Sequence, residues 1–198
     1  MGIDSFWPLA IFSMSATFSP GGATTLATAS GAQFGFRHSI PFILGIATGL
    51  ASMAAAAAFG LANVLLLNSS LAAGLKTVGT LYLLWLAWKV ARAPAPGAAN
   101  AATRPVGYFA AIALLWHNPK GWAMTSGAAA AYTHLASGPA PLAGLMGASF
   151  GLCAAISLSI WCVAGRELGR RVRHARHWRL INAVLGGLIV ASIVPMWL

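Results

Sequence analysis

Leu71–Val90 reads LAAGLKTVGTLYLLWLAWKV. A bilayer core about 30 Å thick needs about 20 helical residues to cross it, and this run supplies them. Lys76 near one end and Lys89 at the other can send their ammonium groups to the headgroups while their stems stay apolar. Two longer apolar stretches precede it, Phe6 to about Gly35 and Ile40–Leu67. The tract Ala93–Pro105 (APAPGAANAATRP) follows it and is too rich in Pro and Gly to continue a helix. Beyond that linker come Val106 to about Tyr132, Leu142–Val163 and Leu180–Trp197, the last two separated by the basic run Arg166–Arg179.

The composition agrees with this reading. Of 198 residues 59% are hydrophobic and 7% charged, with mean hydropathy +0.77, whereas a soluble domain carries charge on about a quarter of its residues. Two acidic residues, Asp4 and Glu167, stand against twelve Lys+Arg. A net charge of +10 would suit nucleic acid on a polar background. Here the basic loops beside apolar spans follow the positive-inside rule instead, so no nucleic-acid partner is expected, and RELGRRVRHARHWR (166–179) is expected to touch anionic lipid. The start of the chain has no positive n-region and no convincing cleavage site, so no cleavable signal peptide is expected. Cys153 and Cys162 fall in one apolar segment on poorly matched helix faces. Their Cα atoms cannot come within the about 7 Å that a disulfide needs.

Charge also sets orientation. With both termini outside, the inside connections hold Arg37, then Lys89, Arg92 and Arg104, then Arg166, Arg170, Arg171, Arg173, Arg176 and Arg179. The outside connections hold only Lys76, and Lys120 lies within a span. This bias predicts an all-α membrane protein of about six transmembrane helices, both termini outside. A five-span variant, with the first stretch half inserted, would move the N-terminus inside. The halves look alike: each opens with a proline-broken apolar stretch (Pro20, Pro119), continues with a GxxxG helix (Gly45/Gly49, Gly147/Gly151) and ends in a shorter helix. Three spans per half makes them inverted repeats, 1–92 and 106–198, joined by a cytoplasmic linker 93–105. The GxxxG pairs read as close helix packing, within one chain or in a homodimer.

The two breaks carry the chemistry. The first is Phe18-Ser19-Pro20-Gly21-Gly22, followed by Ala23-Thr24-Thr25. Proline removes a backbone donor and clashes with the preceding turn, and freed backbone groups survive inside a membrane only where protein or a water-filled cavity satisfies them. Ser19, Thr24, Thr25 and Thr28 add hydroxyls. A half-helix starting near Gly22 would aim its positive end at mid-membrane, where it suits a carboxylate. The plainer alternative is a proline kink capped by Thr17 and Ser19. The second break is Trp116-His117-Asn118-Pro119-Lys120-Gly121-Trp122. It puts Lys120 near the middle of a span, at a cost of about 3 kcal/mol, with no acidic residue in the spans to pair with it. Lys120 is expected to meet a substrate carboxylate or to titrate during transport; in the alternative, the break lies shallower and Lys120 snorkels. His117 is a second proton-coupling candidate beside its reading as a hydrogen-bonded core histidine. Asn63, Tyr82 and Asn182 read as interhelical contacts. Trp7, Trp161 and Trp197 read as interfacial anchors, with Trp85 and Trp88 ending a span.

Absences narrow the function. There is no GxxxxGK[ST] loop for ATP, no HExxH or Cys/His cluster for a metal, and no nucleophile-plus-base pair, so neither an enzyme nor a cofactor is expected. No carboxylate lies in a span, which disfavours divalent-cation transport.

Four motifs resemble the LysE/RhtB amino-acid exporter family. They are SPGGATTLATASGAQFGFRHSIPFILGIATG (Ser19–Gly49), GTLYLLWLAWKVARAP (Gly79–Pro94), HNPKGW (His117–Trp122) and LINAVLGGLIVAS (Leu180–Ser192), in the family's usual order over most of the chain. Within the family the text is most similar to the cysteine/O-acetylserine exporter branch. The resemblance implies proton-driven export of amino acids or close derivatives across the bacterial inner membrane. It carries family motif positions to Ser19, Pro20, Gly21, Gly22, Asn118, Pro119 and Lys120. The sequence departs at Gly22, where a second proline is usual, and at Ala23-Thr24, where Asn or Asp is common. That departure favours a neutral or less polar substrate. Taken together, the substrate-binding set is Ser19, Pro20, Gly21, Gly22, Thr24, Thr25, Asn118, Pro119 and Lys120.

Overall fold

The structure is a computed structural model that describes residues 6–60, 69–95, 104–172, 174–194 and 197. Asp4, Asn63, Arg173 and most of the linker lie outside them. Among the described residues there are seven α-helices and no strand: α1 (Trp7–Phe18), α2 (Gly22–Ala58), α3 (Ser69–Ala91), α4 (Tyr108–Trp116), α5 (Pro119–Ala131), α6 (Pro139–Arg171) and α7 (Ala175–Ala191). A short 3-10 turn, Thr133–Leu135, follows α5. By length and composition α2 and α6 are apolar enough to cross a membrane.

α2 folds back on itself. Gly35 takes φ 78° and ψ 171°, a left-handed position that glycine alone adopts without strain. The Ser30 and Ser39 hydroxyls then meet at 2.7 Å, although nine residues of straight helix would separate them by about 13.5 Å. Thr24, Ile46 and Leu50 line one cavity for the same reason. The connection expected between Gly35 and Ile40 thus shrinks to a single residue, and Arg37 already lies in the returning arm. The two arms are 22–34 and 36–58.

α1 and the 22–34 arm run alongside α6 in the same direction. Ser13 meets Ser149, Thr17 meets Ser157, and Phe18 meets Trp161. A Cβ on Gly165 would strike the Thr28 carbonyl, and one on Gly169 the Ala32 carbonyl. The 36–58 arm runs the other way, with Ala51 against Gly147 and Gly151. Its own Gly45 and Gly49 press on α4 at Tyr108, Ala111, Ile112 and Leu115. Both GxxxG pairs therefore serve packing inside one chain, each between the two halves of the sequence. One hydrophobic core accordingly draws on both halves, from Leu9 and Phe42 to Trp122, Met146 and Phe150.

α3 and α7 form a separate pair with its own small core of Leu83, Leu86, Ala87, Val90, Leu185, Ile189 and Ile193. Asn182 donates to the Ala93 carbonyl at 2.8 Å, and the Trp197 indole donates to Thr80 Oγ1 at 3.0 Å, so the pair is antiparallel. Asn182 thus joins helices, and Tyr82 packs against this second cluster. α3 touches the rest of the molecule where helices stop: Gly79 lies on the Pro119 ring, and Leu83 and Leu86 face Gly22.

Two boundaries differ from the sequence reading. α6 continues past Val163 to Arg171 and α7 begins at Ala175, so most of the basic run is helix. Arginine is a good helix former, and Glu167 lies 3.4 Å from Arg170 one turn on. Trp161 is consequently well inside α6. It packs on Phe18 at the end of α1 instead of marking a helix end. Trp85 and Trp88 do sit near the end of α3, where Lys89 lies over Trp85 at 4.6 Å and Arg92 over Trp88 at 3.6 Å.

Candidate functional site

The first break follows from Pro20. A residue before proline is pushed out of the helical region, and Ser19 is extended (φ −62°, ψ 136°), which ends α1. Gly22 then starts a new helix. Its entrance is closed by Thr24, whose hydroxyl accepts from the Gly21 amide at 2.8 Å and donates to the Gly21 carbonyl at 3.0 Å. The second break follows from Asn118 and Pro119. Asn118 is extended and caps α5 by accepting from the Lys120 amide at 3.1 Å, and Pro119 opens the helix where its missing N–H costs nothing.

Lys120 joins the two. Its ammonium donates to Ser19 Oγ at 2.7 Å, to the Pro20 carbonyl at 3.0 Å and to the Ser19 carbonyl at 3.3 Å. Three N–H donors thus find three acceptors on a neighbour about one hundred residues earlier. Gly21 allows this approach, since a Cβ there would sit 3.1 Å from the lysine nitrogen. The hydrogen bonds of a capped kink are present as well: Thr17 Oγ1 donates to the Ser13 carbonyl at 2.7 Å and Ser19 Oγ to the Ala16 carbonyl at 3.0 Å. The kink and the lysine contact coexist.

A pocket of about 40 Å³ lies between the breaks. Ser19, Gly21, Gly22, Thr24, Asn118 and Lys120 line it, with Thr17, Leu50, Leu115, Met124 and Leu158 among its other walls. On the other side of Lys120 an open cleft of about 500 Å³ is bounded by Ser19, Pro20, Ala123, Met124 and the α7 residues Leu188, Ala191 and Ser192.

Three residues of the expected set lie elsewhere. Thr25 is buried within the helix packing and Pro119 against Gly79; neither lines the cavity or the cleft. His117 is exposed, its Nδ1 2.7 Å from the Ala113 carbonyl, and it lines neither space. Conversely, Ser157, Trp161 and Trp122 cap carbonyls freed by the breaks, and Met124 and Ser192 border the open spaces, although nothing local in the sequence marks them. Trp122 alone carried a signal, as the last residue of HNPKGW.

Comparison with known proteins fits this architecture. The LysE type translocator family matches residues 14–192. The chain is 30% identical over its full length to the cysteine/O-acetylserine efflux proteins of Salmonella choleraesuis strain SC-B67 and Salmonella typhimurium strain LT2, covering 98% of each. It is 26% identical to the protein of that name from Escherichia coli O1:K1, over 98% of this chain and 97% of the relative. No solved structure matches. The chain belongs to the LysE-type translocator family.

Proposed function

We propose that this LysE-type translocator is a proton-gradient-driven exporter of amino acids or small amino-acid derivatives in the bacterial inner membrane. Six spans are laid out as two inverted repeats. α1 with the 22–34 arm forms one broken span and α4 with α5 the other; the 36–58 arm, α3, α6 and α7 complete the six. Both termini face outward, and the basic segments around Arg37, Arg92, Arg104 and 166–179 face the cytoplasm. The full-length likeness to cysteine/O-acetylserine efflux proteins supports a small, uncharged side chain on the substrate.

A single observation carries the reading: the only charged group among the cavity-lining residues, Lys120, is held by both breaks at once. Its hydrogen bonds go to the Ser19 hydroxyl and to the Ser19 and Pro20 carbonyls. A substrate carboxylate replaces these bonds to neutral oxygens with an ion pair to the ammonium, and the first-turn amides of Gly22 and Ala23, without partners in their own helix, complete the anion site. The exchange frees Ser19 and Pro20 to move. Lys120 is also the first candidate for the coupled proton, with His117 the second.

Everted membrane vesicles test this directly. Uptake of labelled cysteine or O-acetylserine is expected, abolished by an uncoupler and by Lys120→Ala, and retained in His117→Ala if Lys120 carries the proton. Normal uptake by a well-inserted Lys120→Ala variant removes the lysine from the mechanism. No uptake by the wild type with any amino acid leaves a membrane scaffold as the reading.

A further inference from the structure

We propose that Met124 is a specificity-determining residue, the apolar half of a partition across the transport path that limits the size of the side chain allowed to pass. The inference rests on the exporter reading above and assigns to one residue a task that reading leaves open.

Ser19, Lys120 and Met124 are the residues that line both the pocket at the breaks and the cleft beside α7. They form the wall between the smaller pocket at the two breaks, about 40 Å³, and the larger cleft beside α7, about 500 Å³. The polar half of that wall is the 2.7 Å hydrogen bond from Lys120 to Ser19. Met124 supplies the other half. It follows Lys120 by four residues on α5 and so stands on the same face, one turn further along. A zwitterion whose carboxylate meets Lys120 therefore lays its side chain against Met124.

The chemistry of the cleft sets the ligand class. Its remaining walls are Pro20, Ala123, Leu188, Ala191 and Ser192, small or apolar, with one hydroxyl and no acid or base apart from Lys120. An uncharged, short side chain fits; an acidic or cationic one finds no partner. Methionine suits a movable wall because its unbranched thioether chain changes shape readily. Passage then needs two events, loss of the Lys120–Ser19 bond and rotation of Met124, and the second is sensitive to the size of the passing group.

The test is counterflow in proteoliposomes with cysteine, O-acetylserine, leucine and phenylalanine. Met124→Ala is expected to raise leucine and phenylalanine transport relative to cysteine by about tenfold, the scale of a few methylenes in an apolar pocket. Met124→Phe is expected to shift the ratio the opposite way, and Met124→Leu, similar in volume, to keep the wild-type profile. As a second measurement, Met124→Cys is expected to react with a small thiol reagent and to be protected by substrate, against a parent whose own cysteines are buried. The proposal is overturned if the Ala and Phe variants scale every substrate by one common factor, or if substrate fails to protect Cys at this position. A wild type that moves none of the four, by contrast, brings down the exporter reading and this inference with it.

Discussion

Both helix breaks fall at a proline, yet they satisfy their freed carbonyls in different ways. At the second break the donors are local: the Trp122 indole donates to the Trp116 carbonyl at 2.9 Å, the His117 amide to Ala113 and the Asn118 amide to Leu115. Trp116 and Trp122 also stack edge to face, with centroids 5.4 Å apart. At the first break the donors come mostly from the other half of the chain. Ser157 donates to the Thr17 carbonyl at 2.9 Å, Trp161 to Phe18 at 3.2 Å, and Lys120 to Ser19 and Pro20. The second break is a self-capped platform that carries the charge. The first is held by its neighbours, so in the proposed mechanism it is the one that a competing ligand releases.

Variants that attack each side of this difference separate the two roles. The largest effect is expected for Lys120→Met, which keeps the stem and removes the ammonium. Each buried carbonyl left bare costs about 1–3 kcal/mol, so thermal unfolding in detergent should fall markedly and export should stop. Next comes Ser157→Ala, which strips the Thr17 carbonyl and costs about 1–3 kcal/mol while slowing export, because it loosens the break that moves. Trp122→Phe removes one donor from the platform. A loss of about 1 kcal/mol is expected from that hydrogen bond, with the substrate concentration for half-maximal export unchanged; a large rise in that concentration would show that the second break also rearranges. The smallest effect on stability is expected for Asn118→Ala, the loss of a helix cap worth about 1 kcal/mol, read as a small drop in melting temperature with export reduced far less than by Lys120→Met.

The parts of the fold that were legible in the sequence are those with a local cause. Pro20 and Pro119 end helices through the geometry of their own rings, and Lys120 stands out because an ammonium in an apolar run is costly. The parts that were not legible involve distant partners. Ser157 and Trp161 look like ordinary members of an apolar helix until α1 is laid beside them, and Trp161 accordingly read as an edge anchor. Met124 carries no signal at all, since its position depends on α5, α7 and the first break meeting at one point. The basic run between α6 and α7 was read as a loop because charge seemed to exclude it from a span, but arginine does not exclude helix.

The dependence of the first break on Lys120, Ser157 and Trp161 has a consequence for biogenesis. A ribosome adding about 5–20 residues per second exposes the carbonyls of residues 17–20 many seconds before Lys120, Ser157 and Trp161, which will cap them, have been made. Until then the nascent N-terminal hairpin must keep those oxygens in contact with water or with the insertion machinery. Release into lipid is therefore timed by the arrival of the C-terminal half, and a chain truncated before α6 should be retained and degraded.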